Sequence, residues 1–274
     1  MTVTSRVGIV GAAGRMGMEL VKVLRDTPGA RLAAAIDRPD GASVGKDAGE
    51  VAGLPAIGVR IGADLAAVIG GLDVLIDFST GAAVAATATV CGAAGVALLV
   101  GTTALDENAR HQLDAAAGKI PLLISANTSL ALNVLLNLVR QAARALPAGY
   151  DIEILEAHHR HKIDAPSGTA LALGEAAAAG RGERLASPVG VTGATAGARQ
   201  PGSIGFSVVR GGDVVGEHDV RFLGPGEQLR LSHVATDRAI FARGAVAAAL
   251  WLVKRPAGRY QMADFIFKDQ LDTE

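Results

Sequence analysis

VGIVGAAGRMG, residues 7–17, sets three glycines between a short apolar run and a segment of helical spacing. Gly11, Gly14 and Gly17 form G-x-x-G-x-x-G, a relative of the dinucleotide fingerprint with its second glycine moved one place. A strand must turn sharply there into a helix, and a pyrophosphate can approach the helix N-terminus only over small residues. The triplet alone also fits a plain strand-to-helix turn, so its surroundings must decide. RLAAAID supplies a second strand ending in Asp37, 20 residues beyond Gly17. An acidic side chain at that place accepts hydrogen bonds from the adenine-ribose hydroxyls. The dinucleotide-binding turn is therefore expected to be formed by Gly11, Gly14 and Gly17, with Asp37. Arg38 beside it suits the extra phosphate of NADP, so the pair argues for tolerance of NADH or NADPH.

To either side of Asp37 the same rhythm continues. MGMELVKVLRDTPG has helical spacing and a Pro-Gly stop, and GLDVLIDFS, GVALLVGTT and IPLLISAN follow as further strands between Ala-rich helices. Near-continuous apolar strands alternating with helices predict a parallel sheet covered on both faces. Gly101, Thr102 and Thr103 close one strand, and Ser125, Ala126, Asn127 and Thr128 close the next. Ligands of open α/β sheets bind outside such strand ends, although each group also suits a capped helix start.

From SLALNVLLNLVRQAARAL onward the pattern changes, which places a boundary near residue 130. A long helix leads into YDIEILEAHH, where alternation predicts a half-buried strand. An Ala-rich helix follows the PSGTA turn, and the Gly/Pro/Thr-rich stretch 182–202 reads as an extended loop. GSIGFSVVR, DVVGEHDVRFL and EQLRLSHVA look like antiparallel strands joined by Gly-rich turns, and GAVAAALWLVKR is helical.

Bulk composition narrows the function classes. The chain has 274 residues, half of them hydrophobic, and a net charge of −1. No global field favours nucleic acid or a membrane surface, and aromatics are too scarce for a base-stacking platform. A single cysteine, Cys91, excludes an internal disulfide and a Cys-based zinc site, and its Ala/Val-rich setting reads as a buried inert thiol. The N-terminus enters a strand-like run at once, and no apolar stretch approaches the roughly 18 residues of a membrane span. The expected setting is cytoplasmic.

The chemistry concentrates in EAHHRHKIDAPSGTAL, residues 156–171, which holds three of the six histidines. A metal cluster, a solvated basic loop and a proton-donating anion site compete for it. On a strand, His159 and His161 face one way and His158 the other, which does not readily close around one ion, so no metal is expected. APSGTA then supplies an anion receptor. Pro166 suits a helix's first turn, while Ser167, Gly168 and Thr169 offer backbone N–H groups and hydroxyls at its start. Asp164 is expected to cap that helix, and Lys162 and protonated His159 add positive charge. An anionic substrate with a proton donor accounts for the whole stretch.

E-A-H-H-R-H-K-I-D-A-P-S-G-T-A closely resembles the signature of the bacterial 4-hydroxy-tetrahydrodipicolinate reductase (dihydrodipicolinate reductase) family. VGIVGAAGRMG, DFS, VGTT, SANTS-LALNV, IGFSVVRGGDVVGEH and FARGAVAAALWL fall in that family's order, so the resemblance covers nearly the whole chain. It implies a Rossmann-like domain over 1–129 and a mixed, largely antiparallel α+β domain over 130–240 for substrate binding and oligomerisation, with 241–274 returning to the first. It further implies NAD(P)H-dependent reduction of a small cyclic dicarboxylate in diaminopimelate and lysine biosynthesis, by a homotetramer. His158 is then the acid/base group and Lys162 a proton donor, with His159, Lys162, Ser167, Gly168 and Thr169 holding carboxylates. The implied cofactor contacts are Gly11 to Met16, Asp37, Arg38, Gly101 to Thr103 and Ser125 to Thr128. Two departures stand out: Thr128 replaces an aromatic common in relatives, and Ser79-Thr80-Gly81 lacks an arginine that some carry. A different NAD(P)-dependent reductase of a carboxylated substrate would lack the His-His-x-x-x-Lys run, and a non-catalytic dinucleotide sensor would bind without turnover.

Overall fold

A computed structural model describes residues 4–185, 199 and 202–267. The chain forms two compact units: residues 1–130 with 238–274, and residues 131–237. In the first unit the order is β1 (Ser5–Val10), α1 (Arg15–Arg25), β2 (Ala30–Ile36), α2 (Ala48–Val51), β3 (Ile61–Gly62), β4 (Val74–Asp77), α3 (Gly81–Ala94), β5 (Ala97–Val100), α4 (Glu107–Ala117) and β6 (Pro121–Ile124). Helix α5 (Leu130–Ala145) opens the second unit, followed by β7 (Asp151–His158), α6 (Gly168–Gly180), β8 (Ile204–Arg210), β9 (Gly216–Gly224) and β10 (Glu227–Ala235). The chain then adds α7 (Ala239–Leu252), β11 (Gly258–Tyr260) and α8 (Met262–Ile266) to the first unit.

The first unit carries a seven-stranded sheet in the order β11-β6-β5-β4-β1-β2-β3, with every pairing parallel. Its strands are apolar on both faces because helices cover both. Val7, Ile9, Val74, Ile76 and Leu99 pack with Leu20, Val21 and Leu24 of α1 and Ala245, Ala249 and Leu252 of α7. Val10, Leu75, Leu98 and Val100 point the other way, onto Val84, Ala88 and Cys91 of α3 and Leu113 of α4. Full burial of one such Leu or Val contributes about 1.5–3 kcal/mol, so the two layers hold the strand ends rigidly. Burial, reinforced by the charge of Asp77, pushes the Cys91 thiol up to about 12, consistent with an inert side chain.

The second unit carries a four-stranded mixed sheet, β10-β9-β7-β8. β8 and β9 run antiparallel across a Gly-rich turn, as expected, but they do not pair with each other. Strand β7 lies between them, parallel to β8 and antiparallel to β9. The physical reason is the connection from β7 to β8, which runs through α6 and returns the chain in the same direction, as a crossover helix does. Ile152, Ile154, Phe206, Val220 and Phe222 of the sheet pack on Leu132, Leu135 and Val139 of α5 and Leu173 of α6. The stretch read as a loop over 182–202 lies largely outside the described residues. Among the described residues no helix is long and apolar enough to cross a membrane.

Candidate active site

In the first unit the predicted cofactor residues gather at the carboxyl ends of the parallel strands. After β1, Gly11 turns with φ +81°, a conformation that strains any residue with a Cβ. A Cβ there would also lie 2.5 Å from the Phe78 carbonyl oxygen, and one at Gly17 only 2.1 Å from the Gly11 carbonyl oxygen. These close approaches bring α1 directly onto the turn. Gly14 occupies the N-cap of α1 in an extended conformation, with no capping side chain and no acidic residue in the first turn. Helix α4, by contrast, is closed by Asp106, which accepts the Ala109 N–H at 2.7 Å. The open, positive end of α1, with Gly14 and Arg15 exposed, fits a pyrophosphate. Ala12 is buried, and its N–H and that of Gly11 donate to the Ile36 carbonyl.

Asp37 follows β2 at the edge of this turn. Its Oδ2 accepts the Ala13 N–H and its Oδ1 the Arg38 N–H, both at 2.8 Å. Each carboxylate oxygen retains acceptor capacity for a ribose hydroxyl. The Arg38 guanidinium reaches Asp40 at 3.4 Å in a solvent-exposed pair of little strength.

The next strand ends are braced from within. Asp77 is buried, and its Oδ1 accepts from the Ser79 N–H (2.9 Å), the Ser79 hydroxyl (2.6 Å) and the Thr102 hydroxyl (2.9 Å). Thr102 therefore ties two loops together, while Thr103 is exposed. Gly101 is required by Phe78, whose ring would lie 2.2 Å from a Cβ at that position. Ala104 follows with φ +56°, the one non-glycine residue at positive φ among those described. Past β6, the Ser125 hydroxyl donates to the Asn127 carbonyl (2.7 Å), and Asn127 Oδ1 accepts the Ser129 N–H (3.0 Å). Ala126 is exposed. Thr128 is buried, and its hydroxyl donates to the Phe241 carbonyl of α7 at 2.6 Å.

In the second unit β7 alternates buried and half-buried residues along its whole length. Ile152 and Ile154 enter the core, and Glu156 and His158 continue on that same inward face. The strand ends at His158, so His159 and His161 lie on the following turn, where the Lys162 N–H donates to the His159 carbonyl. His158 is buried, His159 half-buried and His161 exposed. Lys162 Nζ pairs with Asp164 at 2.8 Å, so Asp164 is not the helix cap. Ser167 is. Its hydroxyl accepts the Ala170 N–H at 3.1 Å, and α6 begins at Gly168, two residues after Pro166 rather than at it. The reason is the Ser167 backbone, which is extended as a cap requires, while a cis Ala165–Pro166 bond precedes it. Gly168 faces open space, with nothing within 4 Å of where a Cβ would be, and Thr169 lies in the first turn.

Beneath this turn lies a network that the histidine run alone does not reveal. Glu156 is 2% exposed and accepts four hydrogen bonds: from His158 Nδ1, from both terminal nitrogens of Arg210 (3.0 and 2.8 Å) and from the Ser167 N–H (2.9 Å). Burial alone would raise the Glu156 carboxyl, but the bonds from His158, Arg210 and Ser167 outweigh it and hold it at about 2. His218 of β9 meets His158 edge to face at 5.1 Å, and its Nε2 lies 3.2 Å from the Ser167 hydroxyl. Burial, then the charge of His158, pushes His218 down to about 4, so its ring is neutral near pH 7. Ligand atoms of Glu156, His158 and His218 come within 4.8 Å of one another, a spacing compatible with a metal ion. The two-pronged Arg210 contact already places a cation on both Glu156 oxygens. Period-two alternation from Ile152 puts Glu156 and His158 on one face, whereas Arg210 and His218 lie too far along the chain for any local pattern.

A glycine turn at a Rossmann-like sheet, with a buried histidine–carboxylate pair beside a helix start that can receive an anion, defines a nicotinamide-dinucleotide-dependent oxidoreductase. Family models carry the assignment further. That for the N-terminus of dihydrodipicolinate reductase matches residues 5–128, and that for its C-terminus matches residues 131–266. The chain belongs to the dihydrodipicolinate reductase family. The 4-hydroxy-tetrahydrodipicolinate reductase of Anaeromyxobacter dehalogenans is 48% identical over 96% of this chain and 97% of its own. That of Alkalilimnicola ehrlichii is 49% identical over 96% and 99%. Among solved structures, dipicolinate-bound dihydrodipicolinate reductase from Paenisporosarcina sp. TG-14 superposes with a TM-score of 0.76 at 25% identity, covering 96% of this chain and all of that one.

Proposed function

We propose that the chain reduces 4-hydroxy-tetrahydrodipicolinate to tetrahydrodipicolinate, in diaminopimelate and lysine biosynthesis, using either NADH or NADPH. In the net reaction the C4 hydroxyl leaves as water with a proton from a neighbouring ring carbon, and one hydride and one proton enter the conjugated ring in their place. The reduced nicotinamide, when bound, supplies the hydride at C4. The first unit binds that cofactor through the open end of α1, Asp37 and the loops after β4, β5 and β6. The second unit holds the substrate. One carboxylate meets the start of α6 at Ser167, Gly168 and Thr169, and the other meets His159 and Lys162. Because the Ser167 N–H is given to Glu156 and its hydroxyl lies between Ala170 and His218, that first contact falls mainly on the turn at Gly168 and Thr169. His158 supplies the proton at the enamine-like position left by hydride addition, with Lys162 as a second donor. The adjacency of Asp37 and Arg38 supports use of both cofactors.

The observation that carries this reading is the buried His158, joined through Glu156 to the anion-receptive start of α6, within the sequence signature of the family. Coupled to a synthase that generates the substrate, the protein should oxidise reduced nicotinamide, and pyridine-2,6-dicarboxylate should inhibit competitively. The structural relative bound to dipicolinate supports that choice of inhibitor. Cofactor binding without turnover would mark a dinucleotide sensor instead. We further infer a cytoplasmic homotetramer assembled through the face of the four-stranded sheet opposite α5 and α6. Val209 and Val234 lie there about 60% exposed. Light scattering that gave a monomer would overturn it.

A further inference from the structure

We propose that Glu156, clamped by Arg210, is a positioning residue that fixes the tautomer of His158 and confines proton exchange to its Nε2. This role rests on the reading of His158 as the acid/base group, and adds residues outside the histidine run to it.

Valence decides the tautomer. An ionised carboxylate has no proton to donate, so whichever imidazole nitrogen faces it must carry one. Glu156 is such a group: buried, with both oxygens in the fork of the Arg210 guanidinium. His158 turns Nδ1 to it, so the neutral ring is the Nδ1–H tautomer and Nε2 holds the lone pair. Nε2 itself has been left room. A Cβ at Gly216 would lie 3.1 Å from His158 Nε2 and 3.4 Å from Cδ2. Glycine at the start of β9 leaves open the space over the nitrogen that the carboxylate does not occupy.

Glu156 also joins two parts of the site. Oε2 takes His158 while Oε1 takes the N–H of Ser167, the cap of α6. The proton donor and the anion-receiving turn therefore hang from one carboxylate, which sets their separation. His158 meets Glu156 of its own strand and His218 of β9, with Arg210 opposite it in register on β8. Of these, Glu156 alone takes the Nδ1 proton. An arrangement in which a buried carboxylate orients an imidazole and sustains its charged form is an established catalytic device in other enzymes.

Two-bond 15N–1H correlation spectra of the histidine rings test the claim without reference to turnover. The His158 signals are assigned by their loss in His158→Gln. Wild type should show the Nδ1–H tautomer, and Glu156→Gln, whose amide can donate to Nδ1, should show the Nε2–H form. A wild-type Nε2–H signal overturns the proposal even if the variant fails to fold, as does an unchanged tautomer in Glu156→Gln. In turnover, Glu156→Gln should lower kcat by about 10²-fold or more, the scale of general acid catalysis, with a smaller change in substrate KM. Glu156→Asp should keep the wild-type tautomer and recover part of the rate. A wild-type protein inactive on the substrate would remove the functional reading alone, since the ring spectra still decide the role of Glu156.

Discussion

Asp37 and Ala13 stand 24 positions apart, and the Asp37 carboxylate accepts the Ala13 backbone N–H at 2.8 Å. One side chain thus holds the glycine turn in shape while keeping lone pairs for a ligand. Asp37→Asn can still accept from Ala13 but loses the charge. Hydrogen bonds to a charged group contribute about 1.5–3 kcal/mol, so NADH affinity should fall roughly 10-fold or more. NADPH, with Arg38 available for its phosphate, should lose less. Calorimetric titration of both cofactors measures the difference, and equal losses would refute the division of labour between Asp37 and Arg38.

His158→Gln and Lys162→Met remove the two proposed proton donors. Each should lower kcat by about 10²–10⁴-fold while leaving the cofactor Kd within about two-fold of wild type. Turnover within a few-fold of wild type in both would exclude these roles.

Two glycines predict opposite responses to repair. Gly101 is crowded by the Phe78 ring, a side chain that can be shortened, whereas Gly17 is crowded by the Gly11 carbonyl, which cannot retreat. Gly101→Ala should destabilise by about 1–3 kcal/mol, as overpacking does, and Phe78→Leu added to it should recover part of the loss. Gly17→Ala should lower Tm further and find no such rescue. Thermal melts of the four proteins check the contrast.

Acid should weaken the second unit in two successive windows. His218 is depressed from 6.5 to about 4, so below pH 6.5 the unfolded chain takes up a proton that the folded protein refuses until about pH 4. Stability is therefore lost as pH falls across that interval, at a slope approaching about 1.4 kcal/mol per pH unit. Glu156, depressed from 4.5 to about 2, extends the loss downward, since its contribution is full above pH 4.5 and gone below about pH 2. Denaturant unfolding as a function of pH should show this decline, and His218→Asn should flatten it between pH 6.5 and 4. An unchanged profile in that variant would mean that His218 titrates normally in the fold.

The strands of the first unit are legible in the sequence because burial on both faces writes a continuous apolar word, as in VLID and ALLV. Strand β7 is legible for the opposite reason, since burial on one face writes alternation. The strand neighbours are not. A Gly-rich turn joins β8 to β9, but their pairing with β7 rather than with each other depends on α6 carrying the chain back, which no local pattern records. Short elements such as β3 and β11, of 2 and 3 residues, fall below any periodicity. At the site, His158 and the helix start are visible in one run. Glu156 stands in that same run, yet its role depends on Arg210 and Ser167 converging on it, a relationship of tertiary distance. Asp164 competes with Ser167 for the cap because capping preferences favour Asp and Ser alike, and only the extended Ser167 backbone decides between them.

Strand β7 presents Ile152, Ile154, Glu156 and His158 on one face, so grease and chemistry share a single repeat of two. A slip of one residue against β8 or β9 would expel the isoleucines from the core and turn the proposed acid/base group, His158, to the outside at the same stroke. Misalignment here cannot yield a stable but inert fold, because the packing that rewards the correct alignment is what aims the imidazole. The hydrophobic half of the strand thus acts as a gauge for its polar half, and selection for stability alone would keep His158 in place.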